Sequence, residues 1–210
     1  ISLNHRNKKV NIFGNYNYNH GRYYSTTSIY REQADSIFDQ NGIMRSGRDG
    51  HNFKAGLDYF LTSKSTVGIM TNGTFSDNSF GNDGPMSISY KPTGVVNRIL
   101  KANTDAKGKR NNINYNANYR YVDASGKELN VDADYGSYKN SNNQYLPNIY
   151  YQANGTTKIN ENIYRILSNT NIDLFAVKAD YEQRLGKGKL GFGGKLGYVQ
   201  TKNNAQTNNI

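Results

Sequence analysis

Side chains able to do chemistry are few and scattered. His5, His20 and His51 lie 15 and 31 residues apart, without the short spacing of a metal pair or an adjacent nucleophile. Cysteine is absent, which excludes disulfides, thiolate zinc sites and a cysteine nucleophile. Residues 77–84, DNSFGNDG, gather oxygen ligands in a glycine-rich stretch, as calcium would need. They depart from the EF-hand pattern and lack its closing glutamate, so a plain loop is the preferred reading. Five aromatics in polar stretches, Phe80, Tyr90, Tyr145, Tyr150 and Tyr151, offer flat surfaces on which a sugar or another planar ligand could stack. They are the candidate ligand-binding residues, set against the simpler use of packing loops together. No catalytic, metal or cofactor site is expected, and the chain is read as a non-enzyme.

Those residues need elements to hold them, and composition limits which elements are available. Leu, Ile, Val and Phe make up 42 of 210 residues, at the margin where a dry core becomes hard to build. There are, however, 18 Tyr and only 3 Pro, and the polar mass is largely Asn and Gly. Order is expected, but around something other than an ordinary core.

Short lysine-bearing turns recur: Arg6-Asn7-Lys8-Lys9, Thr62-Ser63-Lys64-Ser65, Ala124-Ser125-Gly126-Lys127 and Gly186-Lys187-Gly188-Lys189. Lys8, Lys64, Lys127 and Lys187 follow one another at 56, 63 and 60 residues, so each unit is a hairpin plus a long excursion. Strands with one apolar and one polar face flank these turns. The apolar face carries Val10, Ile12, Tyr16 and Tyr18, then Leu57 and Tyr59, Val67 and Ile69, and Tyr115 and Tyr119. It continues with Leu129, Val131 and Tyr135, then Phe175, Val177 and Tyr181, and finally Phe192, Leu196 and Tyr198. Asn, Asp, Lys and Gly fill the alternate positions.

The reading is an all-β antiparallel meander of about eight strands, with short turns at one end and long loops at the other (residues 25–50, 79–108 and 141–170). The first strand is cut short near Ile1. Residues 95–102, VVNRILKA, are expected to form a short helix inside the second loop, with Val95, Val96, Ile99 and Leu100 on one side.

A soluble all-β binding module, for example a carbohydrate-binding sandwich, alternates in the same way. Three features favour a bilayer. The strands read as about 10 to 13 residues, close to the roughly 9 to 11 needed to cross a membrane at a tilt. The apolar face mixes Gly and Ala with Val and Leu and ends in Tyr, whose ring suits lipid and whose hydroxyl seeks water. Turns and loops also segregate by length. Lipid offers no partner to a free amide, so such strands close into a barrel or are completed by others. The residues of the apolar face are then lipid-facing, and the asparagine face is wet. Phe13, on the asparagine side, has no place in this scheme. The net charge of +10 is spread over turns, loops and the polar face with no stripe interleaved with aromatics, so nucleic acid is not an expected partner. Outer-membrane lipid and the phosphates of lipopolysaccharide suit it better.

The segments GKELNVDADYGSYKNSNNQ (126–144), NIDLFAVKADY (171–181) and GKLGFGGKLGYVQTKNN (188–204), with the opening ISLNHRNKKVNIFGNYNYN, resemble the outer-membrane β-barrel family of TonB-dependent-receptor-like proteins of Gram-negative bacteria. The resemblance lies in strand texture and turn placement. It implies residence in the cell outer membrane and transport: uptake or surface binding of a nutrient ligand. It also implies that residues 1–210 form one barrel segment, incomplete at both ends, working with the rest of the parent barrel, a plug, TonB and a surface lipoprotein.

Overall fold

The computed structural model describes residues 1–210 and contains strands and turns only. In chain order the strands are β1 (Ser2–Arg6), β2 (Val10–Gln33), β3 (Ser36–Phe60), β4 (Ser65–Asp83), β5 (Pro85–Tyr90), β6 (Val95–Ala102), β7 (Thr104–Val122), β8 (Glu128–Gln152), β9 (Lys158–Leu185) and β10 (Gly188–Asn209). They form one antiparallel sheet ordered β1-β2-β3-β4-β7-β8-β9-β10, with the β5–β6 hairpin set between β3 and β8 beyond the ends of β4 and β7.

Register shows that the ten pieces are eight strand lines. Along β3, Ile43 lies opposite Asp83 of β4 and Gln40 opposite Met86 of β5, with no residue gained or lost between them. Along β8, Tyr145 faces Asp105 of β7 and Asn148 faces Ala102 of β6 on the same terms. The interruption has a local cause. A Cβ at Gly84 would sit 2.4 Å from the Gly42 Cα, so the two backbones crowd there, and Pro85 has no N–H to give the ladder. The eight antiparallel strands expected from the sequence are present, the first of them short.

The segments read as long loops are strand. Residues 25–50 continue β2 into β3, 79–108 take in the β5–β6 hairpin, and 141–170 continue β8 into β9. Tight tips turn them, one at Ala34-Asp35, where Ala34 takes a φ of 49°. Residues 95–102 are strand β6 instead of a helix, because β5 and β8 hydrogen-bond both of its edges and that pairing overrides the helical spacing of the apolar residues. β9 runs 28 residues, about 95 Å at 3.4 Å per residue. That is far more than a bilayer needs.

The backbone ladder is well filled, with 157 backbone hydrogen bonds, 143 of them within the strands. A dry core is missing. Eleven of 210 residues are buried, and Ile88, Ala106 and Ala176 are the hydrophobic ones among them. Extensive contacts join sheet neighbours alone. A soluble sandwich stabilises itself by packing two sheets face to face, and no second layer exists here.

Phe13 now has an explanation. It lies opposite Gly56, and its ring covers that glycine so closely that a Cβ there would meet ring carbons at 2.3–2.9 Å. The Lys54 ammonium lies 5.7 Å from the same ring centroid. An aromatic laid over a strand glycine fills the missing side-chain volume, so this one apolar residue belongs on the polar face.

At the short-turn end, Asp123 Oδ1 accepts hydrogen bonds from the Ser125 hydroxyl (2.6 Å), the Ser125 amide (2.8 Å) and the Lys127 amide (3.1 Å). The Ser125 hydroxyl, followed by the Lys127 amide, holds this carboxyl down at about 2. Because the folded value lies below the ordinary 3.8, the turn's stabilisation is present above that value and is lost as pH falls through about 2. A carboxyl NMR titration of the protein in detergent should place the Asp123 midpoint there. Ser125→Ala should move the midpoint upward toward 3.8, and an unmoved midpoint would discard this assignment of the cause.

Candidate apolar band and polar wall

Side chains alternate between faces with period two, so register decides which residues share a surface. One row across the sheet reads Val10, Tyr59, Val67, Tyr119, Val131, Ala179, Gly194. The next row on that face, farther from the short turns, reads Ile12, Leu57, Ile69, Ala117, Ala133, Val177, Leu196. The third ends in Tyr115, Tyr135, Phe175 and Tyr198. Every residue read from the sequence as lipid-facing falls on this one face. Many are uncovered: Leu196 is 81% exposed, Phe192 66% and Ile69 57%. Soluble monomers rarely leave so continuous an apolar surface open.

The tyrosine hydroxyls mark the limits of the band. Near the short turns, Tyr121 donates to Asp123 (3.3 Å) and Tyr181 to Gln183 (2.8 Å), and the Tyr119 hydroxyl lies 3.3 Å from Ser65 Oγ. All three partners lie on the turn side. At the other edge the polarity reverses. Tyr135 donates to Asp173 (3.0 Å), Tyr18 to Asp49 (3.1 Å), and the Tyr16 hydroxyl pairs with His51 Nδ1 (2.6 Å). Along the outer edge the rings stay together. Tyr115 and Tyr135 stack at 6.2 Å, and Tyr135 meets Phe175 at 4.7 Å. Two tyrosine girdles therefore bound an apolar strip. From Leu129 to Tyr135 the strip spans about 20 Å along the strand, and rings at either edge extend it toward the roughly 25 Å band of membrane barrels.

The opposite face is largely polar in the same rows, with Phe13, Met70, Leu174 and Ala176 as apolar members. Asn11 donates to Asp58 (2.9 Å), Thr74 to Asn52 (2.8 Å), Asn114 to Asn72 (3.0 Å), Asn116 to Asp134 (2.7 Å) and Tyr138 to Asn114 (2.5 Å). The amides thus satisfy one another across strands instead of being stranded. A hollow of about 250 Å³ opens among Asn72, Asn114, Asn116, Asp134, Tyr138 and Lys195.

Other candidates fare differently. Alternation sends Phe80, Tyr90 and Tyr150 to the polar face and Tyr145 and Tyr151 to the apolar one, where Lys101 Nζ lies 4.5 Å from the Tyr151 ring centroid. The five do not converge on one stacking surface. Residues 77–83 are strand, so Asp77 and Asn78 point to opposite faces and the oxygens diverge; Asp77 pairs with Lys109 at 3.6 Å. His20 and His51, far apart in sequence, lie in adjacent rows at the outer girdle, opposite Asp49 and Tyr18 respectively. His20 Nδ1 lies 2.5 Å from Asp49 Oδ1, Arg22 lies 3.0 Å from Asp49 Oδ2, and hydrogen bonding to His20 and then to Arg22 holds the Asp49 carboxyl at about 2. Sequence spacing could not reveal this cluster, because only the β2–β3 register brings its members together.

Residues 120–210 match the model of the outer membrane protein beta-barrel family. No curated protein matches the chain. The matched stretch covers the end of β7 and all of β8, β9 and β10, which share one ladder and one apolar face with the strands before them. The protein is an all-β, outer-membrane β-barrel chain of the cell outer membrane.

Proposed function

We propose that this chain forms part of the wall of a TonB-dependent-receptor-like transporter that takes up, or binds at the surface, a hydrophilic nutrient ligand. The apolar face lies against lipid, and the polar face lines a wet passage. The observation that carries this reading is the amide ladder of the polar face, running over the same rows that are apolar on the other side. Such a wall offers donors and acceptors to a polar solute throughout membrane depth. The strands that project beyond the outer girdle supply the surface that meets the ligand, and a plug, TonB and a surface lipoprotein complete the machine.

The test is uptake in cells, using a panel of labelled oligosaccharides and ferric chelates. Deleting the gene should abolish uptake of one class of solute, and removing TonB should abolish it equally. Uptake that persists without TonB would end the energy-coupled reading, and a deletion strain that transports the whole panel normally would end the transport reading.

A further inference from the structure

Above the outer girdle the apolar face does not turn neutral. The row Asn111, Lys139, Asn171, Lys202 is followed by Lys109, Ser141, Asn169, Asn204, and these residues surround a depression of about 420 Å³. Lys139 and Lys202 are exposed and form no ion pair, while Lys109 is shared with Asp77 at 3.6 Å. The one carboxylate beneath them on β7–β10 before the girdle is Asp173, already occupied by the Tyr135 hydroxyl. Nearer the short turns, beyond the Tyr115–Tyr135–Phe175 row, lies a second depression of about 770 Å³ on the same face. Its floor is Ala117 beside Ala133, and its walls are Ile69 and Val177 in the same row with Tyr135 above. Two adjacent alanines between the bulkier Ile69 and Val177 leave a channel in this row of the apolar face.

The two depressions are stacked in the order that an amphiphile needs. Ala133 and Lys139 are six residues apart on β8, about 20 Å along the strand and within reach of a long acyl chain. Short turns face the periplasm and extended hairpins the exterior in barrels of this kind, so the lysines stand at the outer leaflet. We propose that this face binds one phosphorylated, multiply acylated glycolipid of that leaflet. An acyl chain lies in the Ala117–Ala133 channel, and a phosphate is held by Lys139 and Lys202, with Lys109 at the rim and the Asn171 amide as a further donor. Ammonium groups at the membrane surface attract anionic headgroups without a deep pocket, and lysine stems lie along apolar surface while their heads reach the phosphate layer.

The experiment uses protein extracted from outer membranes in mild detergent, delipidated, and titrated with bisphosphorylated lipid A while adducts are counted by native mass spectrometry. Wild-type protein should hold one lipid through washing. Lys139→Ala with Lys202→Ala should weaken retention about tenfold or more, and Ala133→Leu, which fills the channel and keeps every charge, should weaken it as well. Unchanged retention in both variants would overturn the site. Equal binding of dephosphorylated lipid A would overturn the phosphate contact, and complete displacement by millimolar inorganic phosphate would make the cluster a free-anion site instead. Should the double lysine variant not fold, Ala133→Leu and the dephosphorylated lipid decide. None of these outcomes depends on whether the barrel transports anything.

Discussion

Val177→Arg should destabilise the protein in a bilayer by about 2–4 kcal/mol, whereas Asn116→Arg should change stability by less than about 0.5 kcal/mol. Val177 stands in the middle row of the apolar face, 52% exposed, between the girdles marked by Tyr181 and Tyr135. An arginine there must carry its charge into hydrocarbon or distort the membrane to reach water. Asn116 lies one row away on the other face, already donating to Asp134 at 2.7 Å, so an arginine there meets a carboxylate and solvent. Reversible urea unfolding in lipid vesicles, followed by heat-modifiable mobility on gels, measures both. The same comparison in detergent micelles should show a smaller gap, because a micelle deforms around a charge more readily. Equal losses at the two positions would mean that the two faces do not see different solvents, and the assignment of lipid to the apolar face would fall.

The second large effect concerns Gly56. Gly56→Val is expected to cost about 1–3 kcal/mol, because the new Cβ would lie 2.3 Å from the Phe13 ring and the ring would have to swing out of its place beside Lys54. Phe13→Ala alone should also destabilise, since it uncovers the glycine and removes the cross-strand contact. Combined with Gly56→Val, it should cost less than the sum of the two. A coupling of about 0.5–3 kcal/mol is expected for residues in such contact, measured by the same urea titrations as a double-mutant cycle. Strict additivity would show that the ring does not lie over Gly56 in the folded protein.

Both predictions rest on register, and register separates what the sequence reveals from what it hides. The period-two pattern in Val10–Tyr18, Leu129–Tyr135 and Phe175–Tyr181 is visible in the chain because hydrocarbon on one side and water on the other impose opposite demands on successive residues. It is legible wherever that asymmetry holds, and the antiparallel sheet, the eight strand lines and the apolar face follow from it. Beyond the girdles both faces meet water, the asymmetry vanishes and so does the pattern. The backbone ladder nevertheless continues, which is why residues 25–50, 79–108 and 141–170 resemble loops in sequence and are strands in the fold. Val95–Ala102 goes further: its local spacing suits a helix, and only pairing with β5 and β8 makes it a strand.

The candidate sites divide along the same line. Composition by itself determined that no thiol chemistry is possible, that a large dry core is hard to build, and, with no Trp in the chain, that tyrosine must serve where an interface needs an amphipathic ring. Tyr121 and Tyr181 find partners two residues farther along the chain, but the other girdle hydroxyls find theirs only in the assembled sheet. There Tyr119 finds Ser65, and the outer hydroxyls find Asp173, Asp49 and His51. The same is true of Phe13 over Gly56, of His20 beside Asp49, and of Lys139 in line with Lys202. Each of these pairs is distant along the chain, and a shift of one residue in strand pairing would send its members to opposite faces. Local alternation is a property of one strand in its solvent, but a site made across strands exists only once hydrogen bonding has fixed which residue lies beside which.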